Sequence, residues 1–193
     1  MSKLSVNTIA HTGGTSAMGI DSNGVVTRNV IPAWNLNLPD NFGGSTEASA
    51  NTNVPINDWG TNNHGHTSQQ VNKTCFLQGG CTLNSGVVTV PVTGLYNIST
   101  HLRFQDITSG GFMVALISIN NETDINVLSI FGGGEIIDTS PSGGGSWNYG
   151  AARASLITNL SANDDVRIMV YVETDTSWTI SVNESMFKGY LIG

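Results

Sequence analysis

Basic residues are scarce in this chain. It carries seven Lys and Arg against fourteen Asp and Glu over 193 residues, a formal net charge of −7. No basic patch is present to neutralise phosphates, which excludes a nucleic-acid partner. Charged residues of both signs make up only 11%, and long stretches of Leu, Ala, Glu and Lys are missing, which argues against helix. Long apolar runs are missing too. The longest, Phe112 to Ile117, is far too short to span a bilayer, so no membrane insertion is expected. The opening MSKLSVNTIAHTGG has one Lys and no continuous apolar core, unlike a secretory signal peptide. A soluble protein made without Sec export is expected.

Cysteine is nearly absent. Cys75 and Cys81 bracket the stretch CFLQGGC, a spacing too wide for a CxxC redox or zinc motif, and no second pair exists to complete a zinc site. Gly79 and Gly80 can turn the chain back, so a short-loop disulfide in an oxidising setting and two free thiols are both open. Neither has a catalytic role. The signatures of common enzymes are also lacking: no G-x-S-x-G elbow, no HExxH, no phosphate-binding glycine loop. The glycine runs 132–134 and 143–145 lack the strand-to-helix setting and the Lys of such a loop, and read as surface loops. A non-enzymatic protein is expected.

What is abundant is β pattern punctuated by turns. In SGVVTVPVTGLYNIST, residues 85–100, Val88, Val90 and Val92 alternate with Thr89, Pro91 and Thr93, the period of a half-buried strand. Pro91 suits a strand end and Gly94 permits a sharp bend. Alternation then resumes, with Tyr96, Ile98, Thr100, Leu102 and Phe104 on one face and Asn97, Ser99, His101 and Arg103 on the other. The stretch predicts a strand, a corner and a longer strand. Further strands are expected over 31–38, 54–59, 112–120, 124–131, 135–138, 151–160, 165–173, 178–181 and 187–192, with the continuous run at 112–120 buried on both faces. Strands recurring every 8–12 residues between turn signals indicate a sandwich or jelly roll. Residues 1–30 differ. They hold a hairpin signal, Asp21-Ser-Asn-Gly24 between Ile20 and Val25, but are too few to bury a core of their own. Two parts are expected: an N-terminal β-rich anchoring or trimerisation segment over 1–30, which must pack on the head, on copies of itself or on a host structure, and a head over 31–193.

Several ordered landmarks in the head carry a family resemblance. Gly86, Val88, Pro91, Gly94, Tyr96 and Ile98 follow the pattern G-x-F-x-x-P-x-x-G-x-Y-x-F, with Val88 and Ile98 in place of aromatics. Leu160-Ser-Ala-Asn-Asp-Asp-Val166 follows L-x-x-G-D-x-V, with Asn163 or Asp164 where Gly is usual. Phe187-Lys-Gly-Tyr-Leu191 follows a closing F-x-G-x-L, and Pro32-Ala-Trp-Asn-Leu36 stands where a first strand A-F-x-V belongs. Taken in order over 31–193, these resemble the C1q/TNF-like jelly-roll family. The resemblance implies an all-β, ten-stranded jelly-roll sandwich that assembles as a homotrimer, with Tyr96, Phe104, Phe187 and Leu191 in its core or trimer interface. Trp34, Trp59, Trp147 and Trp178 add more large apolar groups than a charge-poor surface comfortably exposes. Burial between subunits and burial in the domain's own core both answer that.

Animal members of this family usually carry a signal peptide and often a collagen stalk. In their place stand Lys3-Leu-Ser-Val-Asn-Thr-Ile9 and the Ile20–Val26 hairpin, which look like N-terminal or shaft segments of bacteriophage structural proteins. The resemblance implies a virion surface protein assembled in the host cytoplasm. Residues 1–30 would seat it on other virion proteins, a capsid or a tail adaptor, and the head would attach to a host-surface glycan or protein. The alternative is a capsid decoration (cement) protein. Trp147 and Tyr149, beside a glycine run, are the candidate ligand contacts, since aromatics stack on sugars; trimer or core packing is the equal alternative for both. His64 and His66 have the spacing of a metal pair, although a polar Asn/Gly loop is the preferred reading. Asp164 and Asp165 are candidate Ca2+ ligands, with turn capping preferred.

Overall fold

The computed structural model of the chain describes residues 8–10, 16–20, 22–23, 26–28, 31–38, 42–43, 52–61, 75–105, 112–122, 137–138, 149–172, 179–180 and 184–193. The chain divides into two compact units, Met1–Ile31 and Pro32–Gly193. In the first, β1 (Thr8–Ala10), β2 (Ser16–Ile20) and β3 (Val26–Arg28) form an antiparallel sheet in that order. Ile20 lies opposite Val26, and the chain reverses through Ser22 and Asn23, within the Asp-Ser-Asn-Gly segment that marks a hairpin.

The second unit holds thirteen strands and, among the described residues, no helix. They are β4 (Ala33–Asn37), β5 (Phe42–Gly43), β6 (Asn53–Pro55), β7 (Phe76–Gln78), β8 (Thr82–Asn84), β9 (Val87–Thr89), β10 (Gly94–Gln105), β11 (Phe112–Ile119), β12 (Ile137–Asp138), β13 (Tyr149–Leu160), β14 (Asp165–Val172), β15 (Thr179–Ile180) and β16 (Met186–Leu191). A seven-stranded sheet runs β5-β15-β10-β16-β4-β7, with β13 along the other edge of β10. A six-stranded sheet runs β12-β11-β14-β9-β8, with β6 also on β14. The pairings are nested: β4 with β16, β9 with β14, β10 with β13, and β11 with β12, all antiparallel. Taken from the outermost inward, these four pairs alternate between the two sheets.

The corner at Pro91–Gly94 is what moves the chain from one sheet to the other. β9 belongs to the six-stranded sheet and β10 to the seven-stranded one. The Tyr96 hydroxyl donates to the Val92 carbonyl at 2.9 Å, tying the corner to the strand that leaves it. β9 ends at Thr89, so the expected alternation stops short of Val92, which is exposed. Gly94 is needed for a reason other than a bend. Its φ is not among the left-handed values, whereas a Cβ there would press on the Leu191 side chain and lie 3.0 Å from the Gly193 carbonyl oxygen.

The core fills from both sheets. Trp34, Leu36, Tyr96, Ile98, Leu102, Phe104 and Phe187 come from the seven-stranded sheet, and Val88, Ala115, Ile117, Val166, Ile168 and Val170 from the other. Tyr96, Phe104 and Phe187 are fully buried within the protomer, and Leu191 packs partly buried against them. Trp34 and Trp59 are also core residues, so for these two tryptophans no burial between subunits is required. From Met113 to Ser118 every residue of β11 is buried, as the unbroken apolar run indicates. The short strands β5, β7 and β8 are additions that no alternation signals. The strand expected over 124–131 lies outside the described residues, as does Trp178.

Gly189 explains the third position of the closing F-x-G-x-L. It lies opposite Trp34 across β16 and β4, and a Cβ at 189 would fall inside the Trp34 indole. The ring lies over a backbone that must stay bare. Gly189→Ala is therefore expected to lower unfolding stability by about 1–3 kcal/mol, the cost of overpacking a filled core. Urea titration of both proteins, followed by tryptophan fluorescence, measures it; an unchanged midpoint would show that the indole is not held there.

Candidate functional site

The two carboxylates considered as calcium ligands lie in a turn and at the head of β14. Asp164 Oδ2 accepts from the Ser161 backbone N–H at 2.7 Å and Oδ1 from Asn120 Nδ2 at 2.9 Å. Asp165 Oδ1 accepts from the Thr89 hydroxyl at 2.6 Å. Asn120 completes the link by accepting from the Asp165 N–H at 3.0 Å. These bonds join the turn after β11 to the turn after β13. Asn163 has φ 74°, so it is this residue that takes the glycine position of the turn; Asn tolerates the left-handed region better than most side chains. Asn120 and Asn121, at φ 53° and 64°, make the other turn a two-residue primed reversal of the same physical kind. Among the described residues no three His, Cys, Asp or Glu side chains are grouped as metal ligands.

His64, His66 and Trp147 lie outside the described residues. Tyr149 opens β13 opposite Gln105, and its side chain is outside them as well. Cys75 and Cys81 are free thiols on either side of β7, Cys81 buried in the core and Cys75 half-buried. Burial pushes the Cys81 thiol up to about 11 from 9.0, partly offset by backbone hydrogen bonding.

What the structure brings together, and sequence pattern alone does not, is the outer face of the seven-stranded sheet. Alternation along β10 sends Leu95, Asn97, Ser99, His101 and Arg103 away from the core, as expected for His101. The antiparallel register then sets three cross-strand rows. One is Ile157, Asn97 and Tyr190; the next is Ser155, Ser99 and Lys188; the third is Arg153, His101 and Met186. Ile157 is 60% exposed and Tyr190 50%, and Val92 and Ile192, also exposed, lie at the same end of β10. In the third row Arg153 Nε donates to His101 Nδ1 at 3.0 Å, which requires a neutral imidazole. Arg103, one step further on, is ion-paired with Glu184. A hollow of about 480 Å³ opens between Arg153, His101, Ser99, Ser155 and Lys188. A second, of about 270 Å³, lies across Lys188 and is lined by Asn35, Phe76, Asn97 and Tyr190.

No family model matches the chain, and no curated protein matches it significantly. No helix among the described residues is long and apolar enough to cross a membrane.

The raised Cys81 thiol carries a pH signature. A group whose folded pKa lies above its unfolded value stabilises fully below the unfolded value and loses that contribution as pH rises through the folded one. Stability is expected to fall between about pH 9 and pH 11, and less so in Cys81→Ala. Under native conditions at pH 8, iodoacetamide should label Cys75 and spare Cys81, read by peptide mass. Equal labelling of both thiols would contradict a buried Cys81.

Proposed function

We propose that the protein is a non-enzymatic, homotrimeric virion surface protein of a bacteriophage, with a C1q/TNF-like jelly-roll head that attaches to the host surface. The observation that carries the fold part is the nested pairing. Numbering β4, β9, β10, β11, β12, β13, β14 and β16 as one to eight, the partners are one with eight, two with seven, three with six and four with five. Such nesting supports the double Greek key of a jelly roll as the reading of the head. β7 and β8 lie at the ends of the two sheets; with them, and with the short β5, β6 and β15 set aside as additions, the reading has the ten strands that the family resemblance implies.

Support for self-association comes from the exposed apolar end of the seven-stranded sheet rather than from buried tryptophans. Ile157 and Tyr190 flank Asn97 there, and Ile192 and Val92 are exposed near the same end of β10, on a surface with few charges to keep it solvated. The N-terminal unit, three short strands, is the part proposed to seat the protein on a capsid or tail adaptor. Three heads on one particle raise avidity for repeated host groups without strong single-site affinity.

Two measurements test this reading. By sedimentation equilibrium the chain should have three times its monomer mass of 20.3 kDa, and Ile157→Asp should shift it toward monomer without changing its circular dichroism, because the side chain is mostly exposed. A wild-type monomer would remove the trimer. Gold-labelled antibody against residues 31–193, applied to intact particles, should mark the tail or its fibres. Gold spread over the capsid at high copy would favour decoration instead, and particles without gold would end the virion reading.

A further inference from the structure

We propose that the outer face of the seven-stranded sheet holds an oxyanion, a carboxylate or sulfate, between Arg153 and Lys188. Basic groups are scarce, yet of the four described in this unit, Arg103, Arg153, Arg167 and Lys188, three lie on this one face. Arg103 is neutralised by Glu184. The other two have no carboxylate among the described residues lining their hollow. Two serines complete the surround, and register places them between the cations: Ser155 opposite Ser99, and Ser99 opposite Lys188.

The donors are uncommitted. Only the Nε of Arg153 is engaged, by His101. Among the described residues the two terminal nitrogens of its guanidinium, the Lys188 ammonium and the hydroxyls of Ser99 and Ser155 have no hydrogen-bond partner. A site with two cations, hydroxyls able to donate, and no carboxylate among its described lining suits a ligand made of acceptors. His101 holds the guanidinium by one edge and leaves the opposite fork presented, the geometry that binds carboxylate and sulfate through two parallel bonds. Arg153 and Lys188 are two strands and one two-residue step apart, roughly 12 Å between Cα atoms by sheet spacing. Side chains of their length can close on one anion from either side. The hollow of about 480 Å³ is within the range of ordinary small-molecule sites, roughly 300–1,000 Å³.

The net charge of −7 does not forbid this. At physiological salt, charges beyond about 8 Å are largely screened, whereas the two cations act at contact. The anion can reach the site as a free ion or as the acidic group of a saccharide. The use of such a site in host attachment rests on the reading above; the site itself does not.

The test is calorimetric titration of the full-length protein with sodium sulfate, with a sulfated oligosaccharide and with its unsulfated counterpart. Sulfate and the sulfated sugar should bind and the unsulfated one should not. Arg153→Gln and Lys188→Gln should each weaken binding at least about fivefold with circular dichroism unchanged. Arg28→Gln, which removes the same charge from the N-terminal unit, should leave binding as it was. Equal affinity for the sulfated sugar and for sulfate identifies a free ion as the ligand, and tighter binding of the sugar identifies an acidic saccharide; both uphold the site. No binding of either, an undiminished affinity in the Arg153→Gln/Lys188→Gln double variant, or an equal loss in Arg28→Gln overturns it. Because the measurement uses purified protein, its failure leaves the particle labelling standing, and failed labelling leaves the site standing.

Discussion

The closure of the head depends on one contact, the Trp34 indole lying on the bare backbone of Gly189. β4 opens the seven-stranded sheet in sequence and β16 ends it, so this contact must be assembled across most of the chain. The indole meets Phe187 edge-on at 5.6 Å and Tyr96 at 6.4 Å, and Trp59 packs on Phe187 at 5.8 Å. Burying an indole of about 200 Å² contributes about 5 kcal/mol. Among the described residues the ring nitrogen has no partner, which costs about 1–3 kcal/mol. Burial outweighs that loss, and it does so only while residue 189 has no side chain. One glycine therefore decides whether the first and last strands can lie together.

The second constraint is the transfer between sheets. The chain crosses between the two sheets several times, and Pro91 to Gly94 is one place where it does so. Pro91 ends the pairing of β9. Tyr96, although its ring is in the core, reaches back with its hydroxyl to the Val92 carbonyl. Leu95 and Ile192 continue the pairing past β16, through Leu95 N to Gly193 O at 2.8 Å and Ile192 N to Leu95 O at 2.7 Å. The corner, the end of the chain and the Gly94 close approach thus form one joint. A substitution at any of the three disturbs the passage from one sheet to the other.

Those features differ in how far the sequence reveals them. The long strands are legible because their alternation is long enough to count: Tyr96 to Phe104 does face the core, and the unbroken run in β11 is buried on both sides. The three-residue strands β7 and β8 are not, because three residues hold no period, and the Cys-bearing stretch around them draws attention to thiol chemistry instead. The glycine at 94 is visible but its reason is not, since a bend can be read locally and a neighbour at Leu191 cannot. The candidate site is the extreme case. That His101 faces outward follows from alternation on β10. That it meets Arg153, and that Lys188 stands across the same hollow, depends on the registers of β13 and β16 against β10. Residues this far apart in the chain leave no spacing for a motif to record.

The same registers explain how one face can serve two purposes. Ile157 and Arg153 are four residues apart on β13, roughly 13 Å along the strand, with Ser155 between them. The apolar row with Tyr190 and the basic row with His101 are therefore parallel bands on one sheet, separated by the row that holds Ser99 and Lys188. A neighbouring subunit covering the first band need not cover the third. The sheet's pleat keeps Leu102, Phe104 and Ala152 inward beneath the bands, so the rows can differ in chemistry without altering the core. Charge scarcity sharpens the division. With so few cations in the chain, two of them together with no carboxylate among the described residues beside them forgo two ion pairs, although exposed pairs contribute only about 0–1 kcal/mol each. The stability given up is small, and a fixed pair of unmatched cations is what an anionic ligand requires.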